Sequence, residues 1–327
     1  MDLLSDAIVA MRTGRPHSTR AQRHGRWSVH HPSFAGAGFH VVLQGACKLI
    51  PEHGAPIELG VGDAVFLPHG SAHEMADGFS VPSADAPIAP LVSLTEAEAS
   101  ADGQVQPDGG QSTVVMLCGA YLHDRARLHP LMGELPQIIH LPARVGRHPS
   151  LRGAIDLLGT ELERRRPGTD AVLPSLLDAL LVYMVRGWLD ERPPGHEVTG
   201  WTAALRDPGV VAALDGIHGD PARPWTVEEL GTRAGLSRAA FSRRFTALVG
   251  RPPLGYLTWW RMTLAAGLLR DSDVPLRAVA ARVGYSSEFA FANAFKRGFG
   301  VAPGRYRKQA LERPGIGDRR ANAAHRE

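Results

Sequence analysis

The sequence is short of cysteine, of long apolar runs and of catalytic signatures, and each shortage excludes something. Two cysteines, Cys47 and Cys118, are too few for a disulfide framework or a four-ligand zinc finger. They suit a reducing compartment. No stretch reaches the ~18 consecutive apolar residues that a membrane span requires. The opening MDLLSDAIVAMR lacks a basic segment followed by a continuous apolar one, so no signal peptide is expected and the cytoplasm is the expected location. No G-x-S-x-G elbow, Walker loop, dinucleotide fingerprint or H-E-x-x-H helix occurs, and Gly36-Ala37-Gly38 lacks the context of a phosphate loop. Ser71, His73 and Asp77 can be strung into a triad on paper, but a triad is defined by geometry and not by adjacency.

What is present is a chain of 327 residues with 44% apolar and 21% charged residues, enough to bury sizeable cores and too long for one. Two domains, or three at most, are expected. Residues 1–200 hold 16 Lys/Arg against 22 Asp/Glu, whereas 201–327 hold 20 against 11. The basic half is a candidate polyanion surface, or else a basic tail without a partner. Twelve of the fifteen histidines lie in the first 150 residues, where a cluster could serve metal or ligand chemistry.

From Trp27 to His73 short apolar runs alternate with turn residues (GFHVVLQGACKLI, PIELG, DAVFLPHG), which predicts an antiparallel sandwich or barrel. Residues 80–112 are rich in Ala, Pro, Ser, Asp and Gly and predict a long mobile loop. Strands resume at Thr113–Tyr121 and near Gln137–Leu141. Beyond His148 the period changes to three and four. Leu151–Arg165 and a stretch running from Val172 to Trp188, with Pro174 in its first turn, predict two connecting helices that pack on the sheet or form a dimer interface. A linker follows at 191–200, and the segment 313–327 is expected to be a disordered tail.

The 201–312 region reads as helices and contains a repeat. Phe241, Phe245, Gly250, Pro253 and Tyr256 recur fifty residues later as Phe291, Phe295, Gly300, Pro303 and Tyr306. In the first copy Thr226 and Glu229 form a capping box, Gly235 makes a turn and Ser237 caps a second helix. In the second copy Gly284 makes the turn and Ser286 or Ser287 supplies the cap. Helix, glycine turn, helix is the helix-turn-helix pattern. With the phenylalanines inward, the outer faces carry Arg238, Ser242 and Arg243, then Glu288, Asn293, Lys296 and Arg297. Arginine pairs with guanine, asparagine with adenine, and glutamate accepts from cytosine. A helix from Pro253 to Arg270 spaces the copies, and Arg305, Arg307 and Lys308 suit phosphate contacts. A helical bundle with a basic surface is the plainer alternative.

The segments PWTVEELGTRAGLSRAAFSRRFTALVGRPPLGYL and VPLRAVAARVGYSSEFAFANAFKRGFGVAPGRYR make residues 206–310 resemble the double helix-turn-helix domain of the AraC/XylS family of bacterial transcription regulators. The resemblance implies base contacts from Ala239, Ser242 and Arg243, then from Glu288, Phe289 and Asn293. Ala239 and Ala240 are small where readers often stand, so the first unit would lean on Arg238 and Arg243.

Gly62, Pro68, Gly70 and His73 fit the second cupin motif, G-x5-P-x-G-x2-H, while the first motif is reduced to His40. Residues 5–145 resemble the cupin-like regulatory domain found in part of this family. His40, His73 and Cys118 form a zinc-like candidate set for a metal or effector, the plainer reading being satisfied core histidines and a small buried thiol. His53, His69 and Glu74 are expected to be solvated turn residues, and Arg164 to Arg166 an exposed helix end.

The expected architecture is α+β: a cupin-like antiparallel barrel over 1–147, connecting helices over 148–190, and the double helix-turn-helix domain. The resemblance implies a non-enzymatic regulator that binds double-stranded DNA and a small effector, with RNA polymerase and a second copy of itself as partners. No cofactor is required, zinc or another divalent metal being the one candidate. The alternative is a metal-dependent cupin enzyme with an accessory helical domain.

Overall fold

The computed structural model describes residues 3–11, 16–78, 87–91, 113–122, 129–164, 166–191 and 200–312. The loop expected at 80–112, apart from 87–91, lies outside the described residues, as do most of the linker and the tail expected at 313–327. The chain forms two compact units. They interleave along the sequence. Described residues 3–11 and 129–134 pack with 200–312, and the remainder forms the other unit.

Among the described residues the sheet unit contains nine antiparallel strands. These are β1 (His17–His24), β2 (Ser28–His31), β3 (Gly36–Gln44), β4 (Cys47–Pro51), β5 (Ile57–Leu59), β6 (Ala64–Leu67), β7 (His73–Ala76), β8 (Thr113–Leu122) and β9 (Ile139–Leu141). They make a five-stranded sheet, β1-β8-β3-β6-β9, and a four-stranded sheet, β2-β7-β4-β5. No ladder joins the two among the described residues, so closure into a barrel is not observed. The chain crosses from one sheet to the other between β1 and β2, β2 and β3, β3 and β4, β5 and β6, β6 and β7, and β7 and β8. In the β6–β7 crossing, Gly70 has φ +58, and a Cβ there would stand 2.6 Å from the Phe34 carbonyl oxygen. Only glycine fits that bend.

The space between the sheets is filled by Val42, Val65, Leu67, Met116 and Ala120 from one sheet and Val29, Leu49, Leu59 and Met75 from the other. Each of these valine, leucine and methionine side chains contributes about 1.5–3 kcal/mol by leaving water. β1 was not evident from the sequence, because HSTRAQRH is polar. Its pairing with β8 from His17↔Ala120 to His24↔Thr113 supplies the order that its composition does not. Glu74 lies within β7 and is buried, where a solvated turn was expected. The residue continues the two-residue alternation of a strand hydrogen-bonded on both edges.

The other face of the larger sheet is covered by α3 (Pro149–Glu163) and α4 (Thr169–Asp190), with α2 (Pro130–Glu134) belonging to the helical unit. Tyr121 on β8 donates its hydroxyl to the Leu177 carbonyl at 2.6 Å. Pro174 does not open α4, which starts at Thr169 after Gly168. The extra turn comes from residues 169–172, and Pro174 costs the helix one backbone hydrogen bond. By length and composition α4 could cross a membrane. Leu177, Leu180 and Met184 are, however, fully buried in this unit.

The helical unit comprises α1 (Leu3–Met11), α2, α5 (Gly200–Ala204), α6 (Pro208–Gly219), α7 (Val227–Arg233), α8 (Arg238–Val249), α9 (Pro253–Asp271), α10 (Leu276–Arg282), α11 (Glu288–Phe299) and α12 (Pro303–Glu312). Polar contacts tie the early segments into it. His218 on α6 lies 3.1 Å from the Asp6 carboxylate of α1, and its other ring nitrogen lies 2.8 Å from the Tyr256 hydroxyl. Its ring stacks on Trp260 at 3.9 Å. His129, before α2, sits edge-on to Trp201 at 4.3 Å and is fully buried, which holds its pKa well below the usual range. The Glu134 carboxylate accepts from the Trp201 and Thr202 backbone N–H groups. No sequence period could announce these contacts, since they join residues 38 to 212 positions apart.

Candidate nucleic-acid interface and buried histidine cluster

The fifty-residue repeat is a structural duplication. In the first copy Thr226 accepts from the Glu229 N–H at 3.1 Å, and Glu229 accepts from the Thr226 N–H at 2.8 Å. The capping box is therefore complete. A hydrogen bond from Arg223, with further ones from Thr226, pulls the Glu229 carboxyl down to about 2. Ser237 caps α8 and Ser287 caps α11, each accepting from the N–H three residues on at 3.4 Å. Both second helices end on a glycine with φ +74, Gly250 and Gly300.

Phe241 and Phe245 are fully buried at 5.3 Å from each other, and Phe291 and Phe295 repeat the pair at 5.7 Å. Anchoring these faces inward fixes which faces look out. Arg238, Ala239 and Arg243 are exposed on α8, with Ser242 half-buried beside them. On α11, Glu288, Asn293, Lys296 and Arg297 are exposed, and Phe289 is 77% exposed. A phenylalanine held so far out of the core on the first turn of a helix has no packing role in this unit. Phe289 and Asn293, four residues apart, share one stripe.

On α12 the structure separates two expected phosphate contacts. Arg305 is exposed, whereas Arg307 is half-buried and donates to the Val274 carbonyl at 2.5 Å. Sequence reasoning missed Arg244 and Arg251. Arg244, next to Arg243, forms an ion pair with Asp207, the cap of α6. Burial alone would raise the Asp207 pKa, but the Val210 N–H and the Arg244 guanidinium outweigh it and leave it lowered. Arg251 lies over the Trp259 ring at 5.6 Å and lines a cleft of about 350 Å³ with Thr258 and Arg297. A second cleft of about 410 Å³ is lined by Asn293, Lys296, Arg297 and Gly300.

In the sheet unit the strand alternation turns His40 on β3, His73 on β7, His31 on β2 and Cys118 on β8 into the space between the sheets. His31, His40 and His73 each offer a ligand atom, and the three atoms lie within 4.8 Å of one another. His31 was not anticipated. The signal was present in SVHH, where Val29 and His31 fall on the same inward face. Cys118 touches the set through His40 and does not complete it.

Hydrogen bonds assign the protons. A ring nitrogen beside a carbonyl must carry hydrogen, so His73 donates from Nδ1 to Ser71 (2.8 Å) and His31 from Nδ1 to Ala89 (2.6 Å). His73 Nε2 is then a lone pair, and His40 Nε2–H donates to it at 2.7 Å. This leaves His40 Nδ1 to accept from the Cys118 thiol at 3.2 Å. Burial keeps the components neutral. It lowers His31 to about 3, helped by His73, lowers His73 to about 4, lowers His40 well below its usual range, and pushes the Cys118 thiol up to about 12. Neutral imidazoles with Nδ1–H tied outward are the state that metal ligation requires; His31 and His73 are in it, and His40 reaches it when its proton moves from Nε2 to Nδ1. Three of them suit Zn, Cu, Ni or Fe, so the donor set fits a transition metal.

Comparison with known proteins bears on both sites. A cupin family model matches residues 2–190, and a helix-turn-helix domain model matches residues 230–309. The chain is 35% identical over 309 residues to a putative AraC-like transcription regulator of Streptomyces lividans, which spans 94% of this chain and 98% of that one. It is 29% identical over 317 residues to the HTH-type transcriptional regulator AlkR of Acinetobacter baylyi, spanning 95% of this chain and 100% of that one. Among solved structures, the DNA-binding domain of AdpA in complex with a target DNA is 34% identical and covers 33% of this chain and 96% of that one, with a TM-score of 0.31. These full-length relatives are regulators, and they give the cupin-enzyme alternative no support.

Proposed function

The chain belongs to the AraC-like transcription regulators, a cupin region followed by a helix-turn-helix region, and on that premise we propose how it reads DNA and what its sheet unit holds. The carrying observation is the duplicated, capped helix-turn-helix with two outward polar faces. α8 enters one major groove with Arg238, Ser242 and Arg243, while Ala239 leaves room for a close approach. α11 enters the next with Glu288, Phe289 and Asn293. Asparagine suits adenine, and the phenylalanine ring suits the thymine methyl. Lys296, Arg297 and Arg305 meet phosphate. Arg307, committed to Val274, is left out of this set. Arg238 stands in the first turn of α8, where the helix dipole disfavours a cation and a nearby phosphate offsets that cost.

Two substitutions separate the roles. Asn293→Ala costs about 1–3 kcal/mol on the preferred site and relaxes selection at one position only. Arg305→Ala weakens all sequences alike and makes the salt slope shallower by about 1. Competition binding on a set of single-base variants measures both. Equal losses on every sequence for Asn293→Ala would remove it from base reading.

The sheet unit acts in this reading as a sensor with no catalytic step, in a cytoplasmic regulator that works as a homodimer and contacts RNA polymerase. Its ligand is a small effector or a divalent metal held by His31, His40 and His73. A metal there would cross-link the two sheets, since His40 belongs to one and His31 and His73 to the other. To offer both Nε2 lone pairs, His40 would move its proton to Nδ1, with the Cys118 sulfur as acceptor. Zinc titration against a competing chelator is expected to give one tightly held ion per chain, lost in His40→Ala. No binding to the wild type would leave the histidines as a hydrogen-bonded core relay.

A further inference from the structure

One side chain on the spacer helix fastens the approach to the first recognition unit to the turn of the second. Arg261, near the middle of α9, donates from Nε to the Pro221 carbonyl at 2.6 Å. From Nη2 it reaches the carbonyls of Arg223 at 2.9 Å and Ala222 at 3.3 Å. These residues lead directly into Trp225 and the Thr226 cap of α7. The same guanidinium lies 5.9 Å from the centre of the Tyr285 ring, in the turn between α10 and α11. Beside Tyr285, Gly284 has φ +79, and a Cβ on it would stand 2.5 Å from the Ala222 oxygen and 2.7 Å from Arg261 Nη2. Loop 221–223, the guanidinium and the 284–285 turn are thus in contact with no space between them. Two residues after Tyr285 comes Ser287, the cap of α11.

Main-chain carbonyls of the first unit and the turn of the second converge on a planar group whose donors point in fixed directions. The two recognition helices cannot slide or rotate independently without breaking those contacts. We propose that Arg261 is a positioning residue that fixes the relative placement of α8 and α11, and so selects a single spacer length between the two half-elements of the DNA site. The inference rests on the DNA-reading function above. DNA makes the spacer matter in two ways, because each base pair added adds about 3.4 Å of rise and about 34° of rotation. A locked pair of helices follows neither change, while a loosened pair follows part of both.

The test uses the full-length protein and a site recovered by selection from sheared genomic DNA, with one base pair added to or removed from the spacer. Wild type is expected to lose about 10-fold or more in affinity for either change, the size of a mismatched base pair. Arg261→Ala is expected to bind the native spacing more weakly and to lose less than about 3-fold on either change, while its penalties for mutated half-elements match those of wild type. Arg261→Lys, which keeps the charge and reaches a carbonyl with a single ammonium, falls between them and serves as the readout should the alanine variant not fold. Folded variants showing the wild-type spacing penalties would overturn the proposal, as would a wild type indifferent to spacing. Recovery of no site by the wild type would instead remove the DNA-reading function on which it stands.

Discussion

Raising monovalent salt from about 50 to about 200 mM lowers the affinity of this regulator for its DNA site by roughly 500-fold, from a log–log slope of about −4.5. The figure follows from five of the exposed cations, Arg238, Arg243, Lys296, Arg297 and Arg305, which the proposed reading sets against the duplex. Each displaces about one condensed counterion, whether it meets a phosphate or a base edge. The acidic residues of the chain do not cancel the effect, because they concentrate in residues 1–200, while residues 201–327 carry a net charge of +9 from 20 basic and 11 acidic side chains. Fluorescence anisotropy with a labelled duplex at four or five salt concentrations gives the slope. A value shallower than about −2 would mean that fewer than three of these cations approach the DNA.

The second large effect comes from the core. Phe295→Ala destabilises the helical unit by about 3–5 kcal/mol, the usual cost of removing a buried aromatic ring and leaving a cavity. Phe295 is fully buried and lies 4.3 Å from Phe299, 5.3 Å from Tyr306 and 5.7 Å from Phe291. Those rings hold α11 to α12, so their loss releases the recognition helix. Against a total stability of about 5–15 kcal/mol for an ordinary domain, the change is large enough to lose DNA binding on warming. Phe289→Ala is the control. Its ring is exposed, so stability stays within about 0.5 kcal/mol of wild type while discrimination at the thymine position falls. Urea unfolding followed by tryptophan fluorescence separates the two, and equal stability losses would show that Phe289 packs on something other than DNA.

The helical half was legible in the sequence because its signals are local. A capping threonine with glutamate three residues on, a glycine in the turn, and phenylalanines four apart are short-range chemistry, and their repetition at fifty residues gave the duplication. Arg261 carries no comparable signal, since its partners lie about 40 residues upstream and are backbone carbonyls that any residue could supply. The sheet half was legible where strands alternate apolar residues and obscure where they do not. β1 is polar and depends on β8 for its order. His40 and His73 were picked out through motif spacing and Cys118 as a thiol on a later strand, but His31 was passed over. Which nitrogen of His40 meets which neighbour is set by register, His40↔Cys118 and His31↔His73, and register is not a property of either strand alone.

The account stands on the claim that both helix-turn-helix units read DNA together, and selection of fragments from sheared genomic DNA by the full-length protein tests it most directly. At near-physiological salt, where phosphate-only binding is suppressed, the account predicts enrichment of one shared site with two half-elements centred about 10.5 base pairs apart. Enrichment no better than that of random DNA, or a site with a single element indifferent to substitutions at Glu288, Phe289 and Asn293, would contradict it.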